Sequence, residues 1–225
     1  MTDNKKISIS QAFWYFVFFS VVGLLVETTY GYITTGILES RKGLLIGPFC
    51  PVYGIGAAIL IISTYRLEKY PIKIFIVGAI VGGVVEYIIS YCLEAIYGIR
   101  FWEYSYLLFN LNGRICILYS IFWGILSILL TKWIKPLIDK IINKIPTKKG
   151  IEIALLVFLI IDALVTVWAI NTYQNRVVYE KTNSNNNIIK QIEEKAFSNE
   201  VMVKNFPNLR YITKDGEEVF IKDLL

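Results

Sequence analysis

The chain has 225 residues, 55% of them hydrophobic, and a mean hydropathy of +0.53. A soluble domain of this length is far more polar, so one compact membrane domain with a small tail is the expected class. The formal charge of +5 is modest and concentrated in one loop, which speaks for membrane topology and against nucleic-acid binding.

Several apolar runs approach the ~20 residues that cross ~30 Å of hydrocarbon. After a tail over 1–10, five spans are expected: 11–32, 49–65, 74–97, 113–133 and 151–173. The first opens on Phe13, Trp14, Tyr15 and Phe16. It is too long for a signal peptide and lacks an A-x-A-like end, so it stays as a span. Trp14, Tyr65, Tyr97, Trp133 and Tyr173 near the span ends suit interfacial aromatic belts.

The second span breaks the pattern. Gly43–Tyr65 is uncharged but holds Gly43, Gly47, Pro48, Pro51, Gly54 and Gly56. A regular helix is expected from Pro51, where proline suits the first turn. From there to Tyr65 a helix covers about 22 Å, short for a crossing. Gly43–Cys50 is therefore expected to dip into the membrane as irregular backbone, which protein or water must satisfy. It either lines a binding site or packs tightly on neighbouring helices.

Between the third and fourth spans, Arg100–Ser105 and Phe109–Arg114 mix aromatics, amides and charges. Between the fourth and fifth, Leu137, Ile138, Ile141, Ile142 and Ile145 fall at helical spacing opposite Asp139, Lys140 and Lys144. That predicts a short basic amphipathic helix on the leaflet, either a surface anchor or a coupling helix for an ATPase. The polar tail, 174–225, reads as a linker at Asn183–Asn187, a short helix over Ile188–Phe197, and strands Arg210–Thr213 and Glu218–Ile221 paired around Asp215-Gly216. About fifty residues cannot build much core, so the tail is expected to dock on the membrane domain or a partner.

Eleven Lys and Arg gather on one side: Lys5, Lys6, Arg66, Lys69, Lys73, Lys132, Lys135, Lys140, Lys144, Lys148 and Lys149. Six lie on the other: Arg41, Lys42, Arg100, Arg114, Arg176 and Lys181. The balance predicts a multi-pass protein of the plasma membrane with a cytoplasmic N-terminus and an outer tail. The fold class is an all-α integral membrane protein: a bundle of about five transmembrane helices, a broken, re-entrant start to the second, and a small polar C-terminal tail.

Glu27, Glu86, Glu94 and Arg114 sit in or at the edge of these spans. A carboxylate in hydrocarbon costs several kcal/mol unless paired, protonated or wetted. Glu27 lies roughly 24 Å along the first span and Glu86 roughly 18 Å along the third. Glu94 is two turns above Glu86 on a broad shared face, and Arg114 opens the fourth span. A polar cluster in the outer half of the bilayer follows, with Asn110, Asn112 and the Gly47–Tyr53 backbone completing it. Tyr53, Trp102 and Tyr104, from the two irregular outer pieces, join the candidate binding set. The cluster reads as a binding site or as a buried ion-pair network that fixes helix register. Asp162, mid-depth in the fifth span, carries less weight and has Thr166 or Asn171 within reach. Glu152 suits the start of its helix. With no histidine, Ser-His-Asp and Cys-His catalysis, HExxH zinc chemistry and His-ligated haem are excluded. No metal or cofactor is expected. Cys50, Cys92 and Cys116 lack CxxC spacing and read as small packed residues.

Gly43-Leu44-Leu45-Ile46-Gly47-Pro48-Phe49-Cys50-Pro51-Val52-Tyr53-Gly54 resembles the GxLxGPxCPxYG signature of the CmpB-like family, integral membrane permease-like proteins of ABC-transporter type IV. Asn110–Cys116 with Ser120 and Phe122-Trp123-Gly124 resembles its NxxGRxC…S…WG block; Glu27, Glu86-Tyr87 and Trp102-Glu103-Tyr104 also match. The resemblance covers about residues 11–135 and transfers nothing to the fifth span or tail. It implies a permease. The sequence has no G-x-x-x-x-G-K-[ST] phosphate loop, so an ATPase motor would be a separate chain.

Three functions compete. The first is a transport protein in which Glu27 and Glu86 bind a cation or proton. The second is a membrane scaffold or regulatory subunit. The third is an intramembrane enzyme on a lipid, which no nucleophile–base pair supports. No enzymatic activity is expected. The partners expected are the bilayer and either a separate ATPase subunit or further copies of the chain.

Overall fold

The computed structural model describes residues 6–144, 149–180, 187–213 and 217–225. Its elements run α1 (Ile9–Thr35), α2 (Pro51–Thr64), α3 (Pro71–Tyr97), β1 (Ile99–Arg100), β2 (Asn110–Leu111), β3 (Ile115–Cys116), α4 (Ile117–Leu129), α5 (Lys135–Ile142), α6 (Lys149–Val177), α7 (Asn187–Ala196), α8 (Asn199–Asn205), β4 (Arg210–Ile212) and β5 (Glu218–Phe220). Lys5, Ile145, Lys148, Lys181, the linker residues 183–186 and the Asp215-Gly216 turn lie outside the described residues.

The fold is all-α and membrane-like. Among the described residues four helices are long and apolar enough to cross a bilayer: α1, α3, the continuous stretch Ile117–Ile142, and α6. The apolar helix Pro51–Leu67 is shorter. The aliphatic residues turn outward and the small or polar ones inward. On α3, Ile72, Ile76, Ile80, Val84 and Ile88 are exposed, while Gly78, Gly82, Glu86 and Ser90 are buried. On α6, Ile153, Val157, Ile160 and Leu164 are exposed, while Asp162, Thr166, Ala169 and Tyr173 are buried. Both sets recur at helical spacing, and a helix in lipid packs through its small residues.

The chain divides into two compact units. The first comprises Met1–Gly23, Pro51–Tyr91 and Glu103–Glu152. Ser8 and Gln11 cap the start of α1 reciprocally, Gln11 N–H to Ser8 Oγ at 3.1 Å and Ser8 N–H to Gln11 Oε1 at 2.9 Å. The core of the unit holds Tyr15, Phe19, Leu60, Ile61, Leu130, Ile138 and Ile142. A π-helical turn, Leu130–Ile134, carries α4 directly into α5. The amphipathic helix of the fourth-to-fifth connection is thus a continuation of the span. Ile138 and Ile142 face the protein core, and of that face's described residues only Leu137 and Ile141 stay exposed for a lipid surface. Tyr15 donates to Asp139, which also pairs with Lys135 at 2.6 Å. Glu152, in the first turn of α6, accepts from Ser10 and from Trp14 Nε1 (2.9 Å).

The second unit comprises Leu24–Cys50, Cys92–Trp102 and Ile153–Leu225. Its three-stranded antiparallel sheet has the order β1-β4-β5, with Ile99 opposite Tyr211 and Tyr211 opposite Val219. The tail is too short for a core of its own, and it shares one with the last turns of α6. Ile170 and Tyr173 pack with Ile99, Phe197, Met202, Phe206, Leu209 and Ile221.

Candidate functional site

The first unit builds a polar site on the inward face of α3. Gly82 lets the Trp123 indole lie directly on the helix: a β-carbon there would sit 2.4 Å from the ring's Cγ. That approach brings the indole N–H to the carboxylate one turn on. Trp123 Nε1 donates to Glu86 Oε2 at 3.0 Å, and Tyr104 Oη donates to Glu86 Oε1 at 2.9 Å. Glu86 is 7% exposed. Each carboxyl oxygen therefore has one neutral donor, which offsets part of the cost of burying it.

Tyr104 comes from the α3–α4 connection. Its ring stacks on Tyr119 of α4, with centroids 4.5 Å apart and planes 18° apart, and Tyr119 meets Phe122 edge-on. Tyr53 of α2 lies close enough to act on Tyr104 electrostatically. Burial, and then the negative charge of Glu86, push the Tyr104 hydroxyl far above its usual range. It therefore stays a proton donor at every physiological pH. The site is one buried carboxyl group held edge-on by two aromatic donors, Trp123 and Tyr104, with Tyr119 stacked behind the second.

Arg114 reaches the same face of α3 from a turn. Asn112 and Gly113 take φ of 53° and 65°, and Arg114 N–H closes the turn on the Leu111 carbonyl at 3.1 Å. Two successive positive φ values are the mark of the tight hairpin turn Asn-Gly prefers. Gly113 is doubly required, since a β-carbon there would sit 2.0 Å from Glu103 Oε1. The turn lays the Arg114 guanidinium over the rings of Tyr87 (5.7 Å) and Tyr91 (5.5 Å) and 3.4 Å from Ser90 Oγ. Arg114 is 6% exposed. Ser90 is one turn beyond Glu86, so the carboxylate and the guanidinium engage adjacent turns of one helix. Asn112 Nδ2 donates to Tyr87 Oη at 3.1 Å. Asn110 is spent on its own loop, donating to the Leu107 carbonyl (2.8 Å) and accepting from Gly113 N–H (3.1 Å).

The second unit has its own polar centre. Asp162 Oδ1 accepts the Ile46 N–H at 3.0 Å, and Thr166 Oγ1 accepts the Leu45 N–H at 2.8 Å. The Thr166 hydroxyl lies 3.4 Å from Asp162 Oδ1. These two α6 side chains take up backbone donors of the segment Gly43–Cys50, which has neither helix nor strand. Asp162 is fully buried.

Of the residues expected at one site, Glu86, Arg114, Asn110, Asn112, Tyr53 and Tyr104 belong to the first unit. Glu27, Glu94 and Trp102 belong to the second. Glu94 pairs with Arg100 at 2.5 Å, and the chain of charges runs on through Arg100–Glu218 (2.8 Å) to Glu218–Arg210 (3.0 Å). Arg114 precedes α4 instead of opening it, because β2 and β3 pair across the turn and delay the helix to Ile117. Trp123, Tyr119 and Ser90 also contribute to this site, beyond the residues the sequence predicts for it. The Gly78–Gly82–Glu86–Ser90 spacing on one span and Tyr119–Trp123–Ser127 on the next were the available signal. Among the described residues no group of three or more Cys, Asp or Glu is placed to hold a metal ion.

Long apolar helices with aliphatic outer faces and small, polar inner faces define a multi-span integral membrane protein. Within that class the chain belongs to the family described as "Putative ABC-transporter type IV", whose model matches residues 14–167. The match runs past the expected limit near 135 and takes in Asp162 and Thr166 of α6. No curated protein and no solved structure matches the chain.

Proposed function

We propose that the chain is the membrane-spanning, permease-like subunit of a transport system for a small solute or ion, with Glu86 binding the cargo or a coupled cation or proton. The observation that carries this reading is a carboxyl group 7% exposed inside a span, held by two neutral aromatic donors, Trp123 and Tyr104. Such residues mark substrate and ion pathways in membrane proteins. Family membership supports the transport class. Arg114 and its two tyrosines form the second charged element, one turn along α3.

The chain carries no catalytic step in this reading, and a separate subunit hydrolyses nucleotide. The N-terminus is cytoplasmic and the tail lies outside the cell membrane, as the Lys and Arg balance favours. The test is uptake and efflux of a panel of labelled inorganic ions and small organic solutes by cells producing the wild type, Glu86→Gln or Trp123→Phe. At least one solute should lose tenfold or more of its flux in Glu86→Gln at equal levels of folded protein. Unchanged flux for every solute that the wild type moves, in both directions, would remove Glu86 from transport.

A further inference from the structure

A cleft of about 290 Å³ opens between the start of α1 and the end of α2, lined by Lys6, Ser8, Ile9, Ile62, Tyr65 and Arg66 among others. It belongs wholly to the first unit and is remote in sequence from Glu86 and its partners. Its chemistry is one-sided. Among the described residues two cations line it, and no carboxylate does. Among the described residues neither cation has an acidic partner within salt-bridge distance. Arg66 Nε donates instead to Tyr65 Oη at 2.8 Å, and its guanidinium lies 5.3 Å from the Tyr65 ring centre.

The two hydroxyls are primed in the same sense. Tyr65 Oη accepts from Arg66, and Ser8 Oγ accepts from Gln11 N–H at 3.1 Å. Each hydroxyl has a single proton to give and two lone pairs; one lone pair is engaged, and the proton is available to a ligand's acceptor. An ammonium, a guanidinium and two hydroxyl donors are thus gathered in one cleft. A phosphate oxyanion, rich in acceptors and charged, matches such a set. The remaining wall is aliphatic, with Ile9 and Ile62 exposed at the ends of two apolar helices. A free inorganic anion has no use for that wall; an acyl chain does.

We propose that this cleft is a binding site for an anionic phospholipid. Lys6, Arg66, Ser8 and Tyr65 hold the phosphate, and the aliphatic wall takes the start of an acyl chain. Juxtamembrane cations attract the anionic leaflet in general. The cleft adds a fixed place for one headgroup, so the effect should be site-specific.

The experiment uses the full chain, purified in detergent and stripped of lipid, with native mass spectrometry counting bound lipid. Phosphatidylglycerol and phosphatidylcholine with the same acyl chains are titrated, with and without millimolar inorganic phosphate. The wild type should bind one phosphatidylglycerol at least tenfold more tightly than phosphatidylcholine, and inorganic phosphate should not displace it. Lys6→Gln with Arg66→Gln should abolish the preference, and the charge-keeping pair Lys6→Arg with Arg66→Lys should restore most of it. Lys69→Gln with Lys73→Gln, the same change in charge outside the cleft, should leave it intact. An equal loss in both neutralised pairs would mean diffuse attraction and overturn the proposal. Displacement by inorganic phosphate would assign the cleft to a free anion and overturn its lipid half.

Discussion

Glu86 is held in an apolar span by two neutral side chains, and each contact can be removed without changing the helix. Trp123→Phe keeps an aromatic ring against Gly82 but deletes the donor to Glu86 Oε2, leaving a buried acceptor unmade. Such losses cost about 1–3 kcal/mol, more when the acceptor is charged. The expected outcome is a destabilisation of that order in unfolding by a denaturing detergent. Glu86→Gln combined with Trp123→Phe should cost less than the sum of the two, since removing the charge removes the reason for the donor. Strict additivity would show that the indole and the carboxylate do not interact. Gly82 gives a second measurement at this scale. Gly82→Ala drives a β-carbon to 2.4–2.7 Å from the indole and its Cβ, and the packed ring cannot swing away as a flexible tip could. Overpacking of this kind costs about 1–3 kcal/mol. Gly150→Ala meets nothing within 4 Å and should be neutral or, through helix propensity, stabilising by up to about 1 kcal/mol. Similar effects from the two substitutions would mean that the Gly82–Trp123 contact does not organise the site.

Gly43–Cys50 depends on α6 for the satisfaction of its backbone. Its local bonds are few: Phe49 O accepts from Gly43 N–H at 3.0 Å and from Leu44 N–H at 3.3 Å. Leu45 and Ile46 then donate outward, to Thr166 and Asp162. Thr166→Val preserves shape and removes the acceptor for Leu45. It should cost about 1–3 kcal/mol and speed hydrogen exchange at the Leu45 amide selectively over amides of α3. Uniform exchange in wild type and variant would show that the segment is held by packing alone. The broken start of this helix was legible because Pro51 has one preferred helical position and the glycines before it disfavour a span. Its partners on α6 were not legible. Asp162 and Thr166 are one ordinary turn apart in an apolar run, and only the tertiary path of a segment more than a hundred residues earlier gives them an acceptor's role. Arg114 shows the converse. Asn112-Gly113 is a strong local turn signal, the apolar run that follows predicts a span from Gly113, and in the fold the local signal prevails.

The membrane class follows from composition and survives any miscount of helices, because the length of an apolar run is set by the bilayer. Which charges share a unit depends on packing that no run length encodes. Glu86 and Arg114 engage neighbouring turns of α3 in one unit, while Glu94 is tied by Arg100 and Glu218 to the sheet of the other. The tail raises the same question for the chain as a whole: a separate domain, or the missing part of a core that α6 begins. Phe197, Met202 and Phe206 are buried with Ala169, Ile170 and Tyr173, and fifty residues bury too little by themselves to fold. Phe206→Ala should therefore cost about 3–5 kcal/mol, as deletion of a buried ring does, and the loss should register in the unfolding of α6. A chain ending at Val177 should lose monodispersity in detergent, because Ile170 and Tyr173 would lie bare. The isolated segment 187–225 should show no cooperative melt by circular dichroism. A cooperative melt of that segment, together with a monodisperse truncated chain, would make the tail an independent domain and its contacts with α6 a docking surface.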